Sequence, residues 1–318
     1  MKRQVRWITA TLCALFCVGS VFAQITADDE DQPNVVRPTG VHKRSKSARK
    51  RSSSDSVAAE DVSIPVSALN PARSGAVPNT RANSVMVVDA RTGTVLHEKN
   101  ADQPRPAAST QKLLTALIIA ETGYLDKPVT VEQADTFAEP VRLNIRPGEV
   151  YQRIDLLRAL LVKSPNDVAR CLARDNAGSL DAFADKMNAK AQMLGATHSH
   201  FVNPNGLPMP GQYSTARDLA IIARAAYANP TIRSIVCLPQ LVFRYANGRT
   251  RELENTNKVL RRLPFCNGMK TGYTEAAGHC LIASGSRPGR DIIVVVLGDT
   301  KSGVWTDAAS LLSWGLWL

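Results

Sequence analysis

The sequence predicts an α+β fold, an antiparallel sheet covered by helices, with a helical subdomain between its strands. Three observations carry this. Runs of β-branched residues at the two ends of the patterned region, Ser84-Val85-Met86-Val87-Val88 and Ile292 to Leu297, read as strands. The segments between residues 109 and 230 read as helices. No internal repeat breaks this order.

The first part of the chain is expected to lie outside the fold. Lys2, Arg3 and Arg6 precede an apolar stretch from Trp7 to Phe22, and Val21-Phe22-Ala23 offers a small-residue cleavage site. Residues 1–23 are therefore predicted to be a secretory signal peptide. The apolar run is shorter than the ~20 residues of a spanning helix, so an exported, soluble protein is expected. Residues 24–80 read as a disordered, charged linker. The acidic patch Asp28, Asp29, Glu30 and Asp31 precedes a basic, serine-rich run from His42 to Arg51, with few apolar residues to offset chain entropy. Export argues against nucleic acid as the partner of that run. A solvated spacer is the expectation, with peripheral contact to an anionic membrane or polymer as the sharper alternative.

The formal charge of +11 divides into +3 for residues 1–23, +1 for 24–75 and +7 for 76–318. A basic folded region suits an anionic polymer or a carboxylate-bearing substrate. Four cysteines follow the signal: Cys171, Cys237, Cys266 and Cys280, widely spaced and without a C-x-x-C pair. They allow three disulfide pairings, and buried free thiols are an equal alternative in a domain of this size. The five histidines are scattered apart from His198-Ser199-His200. No metal site and no cofactor are expected.

Order is expected from about residue 81, with the first strand at Ser84. Asp89 to Gly93 supply turn chemistry, and Thr94 to Glu98 pair back as a hairpin. A helix starts at Ser109, and Leu113, Leu114, Leu117, Ile118 and Ile119 make it apolar on most sides, so it belongs at the domain centre. Residues 154–162 form a helix leading into Ser164-Pro165-Asn166, and another follows from Asp167. Ser179 caps a helix that ends before Gly195, and Thr215 caps one that Asn229-Pro230 stops. Asn247-Gly248 marks a hairpin between Leu241–Tyr245 and Thr250–Leu253. Met269–Tyr273, Gly278–Ser284 and Ile292–Leu297 are successive strands, and a helix runs from Thr306 to the end.

Three short motifs lie on this frame in a telling order. Ser109-Thr110-Gln111-Lys112 places a lysine one turn after a serine, on the same helix face. At a buried helix start, the serine has backbone N–H groups and the positive dipole end beside it. Lys112 must be neutral to act as base, and burial beside a second cation, Lys270, would lower its pKa. Ser164-Pro165-Asn166 breaks two helices and can aim two short side chains into a cleft. Ser164 is suited to pass a proton to a departing amine, and Asn166 to bond a substrate amide. Lys270-Thr271-Gly272 lies within a strand. Gly272 clears room for substrate backbone, Thr271 and Thr274 offer hydroxyls to a carboxylate, and the Tyr273 N–H completes an oxyanion hole. Ser47-Ala48-Arg49-Lys50 and Lys301-Ser302-Gly303 fit two of these patterns, in the linker and in a loop, and are read as chance.

The set S-x-x-K, S-x-N, K-T-G resembles that of penicillin-binding proteins and serine β-lactamases. Further stretches, Phe201 to Leu207, Tyr213 to Ala220, Asn255-Thr256-Asn257 and Ala277 to Leu281, resemble the serine D-alanyl-D-alanine carboxypeptidase family from about Asn83 to the C-terminus. The resemblance implies a penicillin-binding protein or serine β-lactamase-like catalytic domain over residues 81–318, placed in the periplasm or cell-wall space. It implies that Ser109 is acylated by a peptidoglycan stem peptide, that D-alanine leaves, and that water frees the shortened peptide. β-Lactam inhibitors would acylate the same serine.

Two departures accompany it. Many members carry a second, all-β domain and a C-terminal amphipathic anchor, whereas Leu318 follows the last helix directly. Some carboxypeptidases hold the terminal carboxylate with an arginine after the last strand, where Gly298-Asp299-Thr300-Lys301 has none. Thr271, Thr274 and Lys301 are left for that task. The shorter layout resembles the D,D-endopeptidase branch, which is the alternative to a carboxypeptidase. A β-lactamase fits less well, because no E-x-x-L-N stretch follows Ser164-Pro165-Asn166. A non-catalytic wall-binding module would not need all five motif side chains.

Overall fold

The computed structural model describes residues 75–318. The predicted signal peptide, the linker up to residue 74 and the Ser47–Lys50 motif lie outside the described residues. Residues 75–82 have no regular structure. Even so, Lys99 Nζ donates to the Thr80 carbonyl at 3.1 Å, and the Arg81 N–H donates to Asp307, so packing begins just ahead of the first strand.

In chain order, β1 (Ser84–Asp89) and β2 (Val95–Lys99) form a hairpin, and a 3-10 turn over Ala108–Gln111 runs into α1 (Lys112–Thr122). The short strands β3 (Pro128–Thr130) and β4 (Val150–Gln152) pair across a long loop. Five helices follow: α2 (Arg153–Lys163), α3 (Asn166–Ala177), α4 (Leu180–Leu194), α5 (Ala216–Ala228) and α6 (Pro230–Val236). The hairpin of β5 (Gln240–Arg244) and β6 (Thr250–Glu254) leads to β7 (Cys266–Thr274), β8 (Gly278–Arg287), β9 (Arg290–Asp299) and α7 (Gly303–Trp317).

The main sheet is antiparallel with strand order β2-β1-β9-β8-β7, so the first and last parts of the chain meet at its centre and β7 is an edge. Alternation along the strands divides the core. Val85, Val87, Val294 and Val296 pack beneath α7 with Val304, Ala308, Leu311 and Leu312, while Met86, Val88, Ile293 and Val295 face the helical layer. In that layer α1 is buried from Lys112 to Ile119. Each fully buried leucine or isoleucine there contributes roughly 1.5–3 kcal/mol, so α1 is anchored firmly enough to carry reactive groups at its start.

The helix signals act largely as expected. Ser179 Oγ accepts from the Ala182 N–H and Thr215 Oγ1 from the Asp218 N–H, and Gly178 and Gly195 end α3 and α4 in the left-handed region. Three elements differ. The helix expected from Ser109 is a 3-10 turn until Lys112, with the Thr110 side chain bonded back to the Ala107 carbonyl. Asn229-Pro230 ends α5 but also starts α6, because Asn229 caps the Ile232 N–H and proline is tolerated at the first helical position. The strands β3 and β4, three residues each, were not expected, since so short a segment carries no readable alternation. Cys171, Cys266 and Cys280 are buried free thiols, and Cys237 is an exposed one.

Candidate active site

Ser109 sits on the 3-10 turn between two close backbone approaches. A Cβ added to Gly206 would lie 2.0 Å from the Ala108 carbonyl oxygen, and one added to Gly272 would lie 2.9 Å from the Ser109 nitrogen and 3.0 Å from that of Thr110. Gly206 is also in the left-handed region, at φ +83°, which only glycine adopts freely. The loop before it is held from both sides. Asn203 Oδ1 accepts from the N–H groups of Asn205 and Gly206, Gln111 Nε2 donates to the Asn203 carbonyl, and Thr115 Oγ1 donates to that of Pro204. These bonds give the Phe201–Leu207 stretch a physical role: it is the bed under the serine.

Lys112 Nζ lies 2.8 Å from Ser109 Oγ and 2.7 Å from Asn166 Oδ1. Lys112 is 0% exposed and Lys270 is 1% exposed. Burial, and then the charge of Lys270, hold the Lys112 ammonium well below its ordinary range, and Asp167 opposes them. Burial alone brings Lys270 down to about 7. Both lysines thus release a proton more readily than a solvated lysine, and a neutral amine is what proton abstraction from a serine requires.

Ser164 ends α2 in the left-handed region at φ 67°, and among the described residues its buried Oγ has no hydrogen-bond partner. Asn166, expected to bond a substrate amide, has its carboxamide engaged within the protein: besides Lys112, its Nδ2 donates to the carbonyls of Glu139 and Pro140. It fixes the lysine and the 139–141 loop together. The next residue extends that grip, because Asp167 accepts from the N–H groups of Leu143, Asn144 and Ile145.

On the opposite wall, Thr271 Oγ1 donates to Thr256 Oγ1 at 2.7 Å, and the Thr256 N–H reaches back to the Val162 carbonyl. Asn257 Nδ2 donates to the Gly268 carbonyl, so residues 255–257 brace β7 against α2. Tyr273, 59% exposed, stacks on His279 of the neighbouring strand with ring centroids 4.4 Å apart. Burial, then the charge of Lys301, keep that imidazole below its usual pKa.

A cleft of about 340 Å³ joins these walls. Ser109, Ser164, Asn166, Thr271, Gly272, Tyr273 and Thr274 line it, and Lys112 and Lys270 are buried behind them. All nine residues predicted from the motifs therefore converge. Lys301-Ser302-Gly303 spans the turn into the first residue of α7 and does not line the cleft. The motifs did not point to Lys163, His279, Val304 or Trp305, which also line it. Asp167 and Thr256 had a usable signal in their positions beside Asn166 and within Asn255-Thr256-Asn257. Trp305 had none, because it arrives from the start of α7.

A serine beside a buried lysine, against the edge of an antiparallel sheet, defines the class: a serine peptidase of the penicillin-binding fold. The family model described as D-alanyl-D-alanine carboxypeptidase matches residues 71–301. The D-alanyl-D-alanine carboxypeptidase DacB2 of Mycobacterium tuberculosis is 38% identical over 253 residues, 78% of this chain and 86% of that protein. A crystal structure of D-alanyl-D-alanine carboxypeptidase from Mycobacterium tuberculosis H37Rv superposes with a TM-score of 0.72 at 38% identity, covering 76% of this chain and 92% of the other. The D-alanyl-D-alanine endopeptidase of Escherichia coli is 32% identical over 242 residues, 74% of this chain and 78% of that protein. The chain belongs to the D-alanyl-D-alanine carboxypeptidase family of serine peptidases.

Proposed function

We propose that this enzyme removes the terminal D-alanine from peptidoglycan stem peptides through an ester on Ser109, in the periplasm or cell-wall space after export by its N-terminal signal. The observation that carries the reading is the 2.8 Å approach of Lys112 Nζ to Ser109 Oγ, with the lysine fully buried and its proton affinity lowered by that burial. The neutral amine donates to Asn166 Oδ1 and turns its lone pair to the serine hydroxyl. Ser109 Oγ then bonds to the peptide carbonyl carbon as its proton passes to Lys112. The oxyanion is held by the N–H groups of Ser109 and Tyr273. Ser164 passes the proton from Lys112 to the nitrogen of the departing D-alanine as the amide C–N bond breaks. Water attacks the ester, its proton returns to Ser109 Oγ, and the shortened peptide leaves with a new carboxylate. Lys270, Thr271 and Thr274 receive the substrate carboxylate, and β-lactams acylate the same serine.

A second reading, cleavage of peptide cross-links, is favoured by one feature of the cleft. Val304 and Trp305 line it, and among the described residues no arginine does. A wall of this kind accepts an amide that continues as readily as one that ends in a carboxylate.

Mass spectrometry of muropeptides after incubation with the enzyme, beside Ser109→Ala, tests both readings. Pentapeptides losing one D-alanine, with cross-linked dimers intact, would support the carboxypeptidase. Dimers splitting into monomers would move the assignment to an endopeptidase. No change in either would sink both.

A further inference from the structure

Beside the cleft lies a separate pocket of about 260 Å³, whose walls include Arg142, Asn144, Arg146 and Asp167. We propose that it binds a carboxylate of the second stem peptide in a cross-linked pair, the one whose amine is bonded to the D-alanine under attack. The assignment rests on the cross-link reading above.

Two pairs of consecutive residues join the pocket to the cleft. Val141 and Asn166 line the cleft, while Arg142 and Asp167, each one residue and about 3.8 Å of backbone farther on, line the pocket. The loop between them is tied to the catalytic side chains. Asn166 donates its N–H to the Val141 carbonyl and its Nδ2 to those of Glu139 and Pro140, and its Oδ1 meets Lys112. Ser164, which would protonate the departing amine, lines the cleft on this side together with Lys163. The leaving group therefore faces the pocket. A departing D-alanine spans only ~3.5 Å of chain, whereas a departing stem peptide continues toward Arg142.

The loop is built to present its charges. Along Arg142-Leu143-Asn144-Ile145-Arg146, Leu143 and Ile145 are buried and the other three are exposed, so both guanidiniums project from the outer side. Asp167 holds the arc from within. Its Oδ1 accepts from the N–H groups of Leu143 and Val168, and its Oδ2 from those of Asn144 and Ile145. Asn144 adopts the left-handed conformation, at φ 63°, which asparagine tolerates better than most residues.

The nearby acids leave the arginines uncompensated. Four backbone N–H groups offset the Asp167 charge, and Glu149 Oε2 accepts from the Arg146 N–H and the Tyr151 hydroxyl. Glu139 is exposed and does not line the pocket. Among the described residues, neither the Arg142 nor the Arg146 guanidinium has a hydrogen-bond or ion-pair partner. Two such forks on a fixed arc suit a carboxylate, which can accept from both.

Calorimetry on the full chain carrying Ser109→Ala reads binding without cleavage. A cross-linked dimer should bind about fivefold more tightly than a pentapeptide, the size two exposed ion pairs supply, and the surplus should shrink as salt rises. Arg142→Gln with Arg146→Gln alters exposed residues only, so the variant should fold. It should erase the surplus and leave pentapeptide binding unchanged, while Arg142→Lys with Arg146→Lys keeps part of it. A dimer amidated on the carboxylates of the leaving stem should bind like the pentapeptide. Equal affinities in the unaltered pocket, or a surplus that survives the glutamines or the amidation, would overturn the site. Poly(glycerol phosphate) binding more tightly than the dimer, with the same dependence on the arginines, would reassign it to a phosphodiester polymer and overturn the peptide assignment. With Ser109 restored, dimers that bind through the arginines yet are never split would sink the cross-link reading and leave the site standing. Dimers split equally well by the double glutamine variant would sink the site alone.

Discussion

Lys112 works as a base only while uncharged, and its neighbours pull its proton affinity in opposite directions. Burial and Lys270 lower it, and Asp167 raises it. Acylation of Ser109 should therefore fall as pH drops through the depressed Lys112 pKa and level off above it. Asp167→Asn removes the charge that favours the ammonium, so the acid limb should move to lower pH. The same change weakens the acceptor for three backbone N–H groups of the 143–145 segment, at a cost of about 2 kcal/mol of stability. Stopped-flow acylation by a chromogenic β-lactam from pH 4 to 9 reads the first effect, and thermal unfolding reads the second. If Asp167 served the loop alone, rate and stability would drop while the limb stayed in place.

Elements position the site by close approach, and glycine makes that possible at two points. Gly206→Ala would drive a Cβ onto the Ala108 carbonyl in a backbone region that alanine disfavours. The 3-10 turn must then shift, taking the serine with it, and displacement of a reacting group by about an ångström lowers rates on the order of 100-fold. Labelled-penicillin acylation should fall by about that much while far-ultraviolet circular dichroism is retained. An unchanged rate would show that Gly206 does not set the nucleophile's place. The motifs and the caps at Ser179 and Thr215 were legible in the sequence because each acts within four residues. The 3-10 geometry at Ser109 was not, since Gly206 and Gly272, about 97 and 163 residues downstream, help impose it. Trp305 was hidden for the same reason: it joins the cleft only where distant segments meet. The engagement of Asn166 was missed because its partners, the Glu139 and Pro140 carbonyls, are backbone atoms and leave no trace in a residue pattern.

Across the described residues, two buried lysines lie against a core built mainly from apolar side chains, so the catalytic centre works against the stability that the core provides. Lys270 shows this most simply, because burial alone lowers its pKa to about 7 from an ordinary 10.5. The unfolded chain then binds more protons than the folded one between those values, and stability rises with pH across that window. At pH 7 the unfavourable contribution is on the order of 4 kcal/mol, given 1.36 kcal/mol per pKa unit. Lys270→Met keeps much of the side-chain volume and removes the titration. Its melting temperature at pH 7 should exceed that of the unaltered enzyme, and the gap should close as pH approaches 10. Peptide turnover should fall because the substrate carboxylate loses its cation, and Lys112, relieved of a neighbouring charge, should titrate at higher pH. Thermal unfolding of both proteins from pH 7 to 10 at constant ionic strength decides it. Parallel stability curves would mean that Lys270 already keeps its charge solvated in the folded state, and the carboxylate site would then be wetter than its 1% exposure implies.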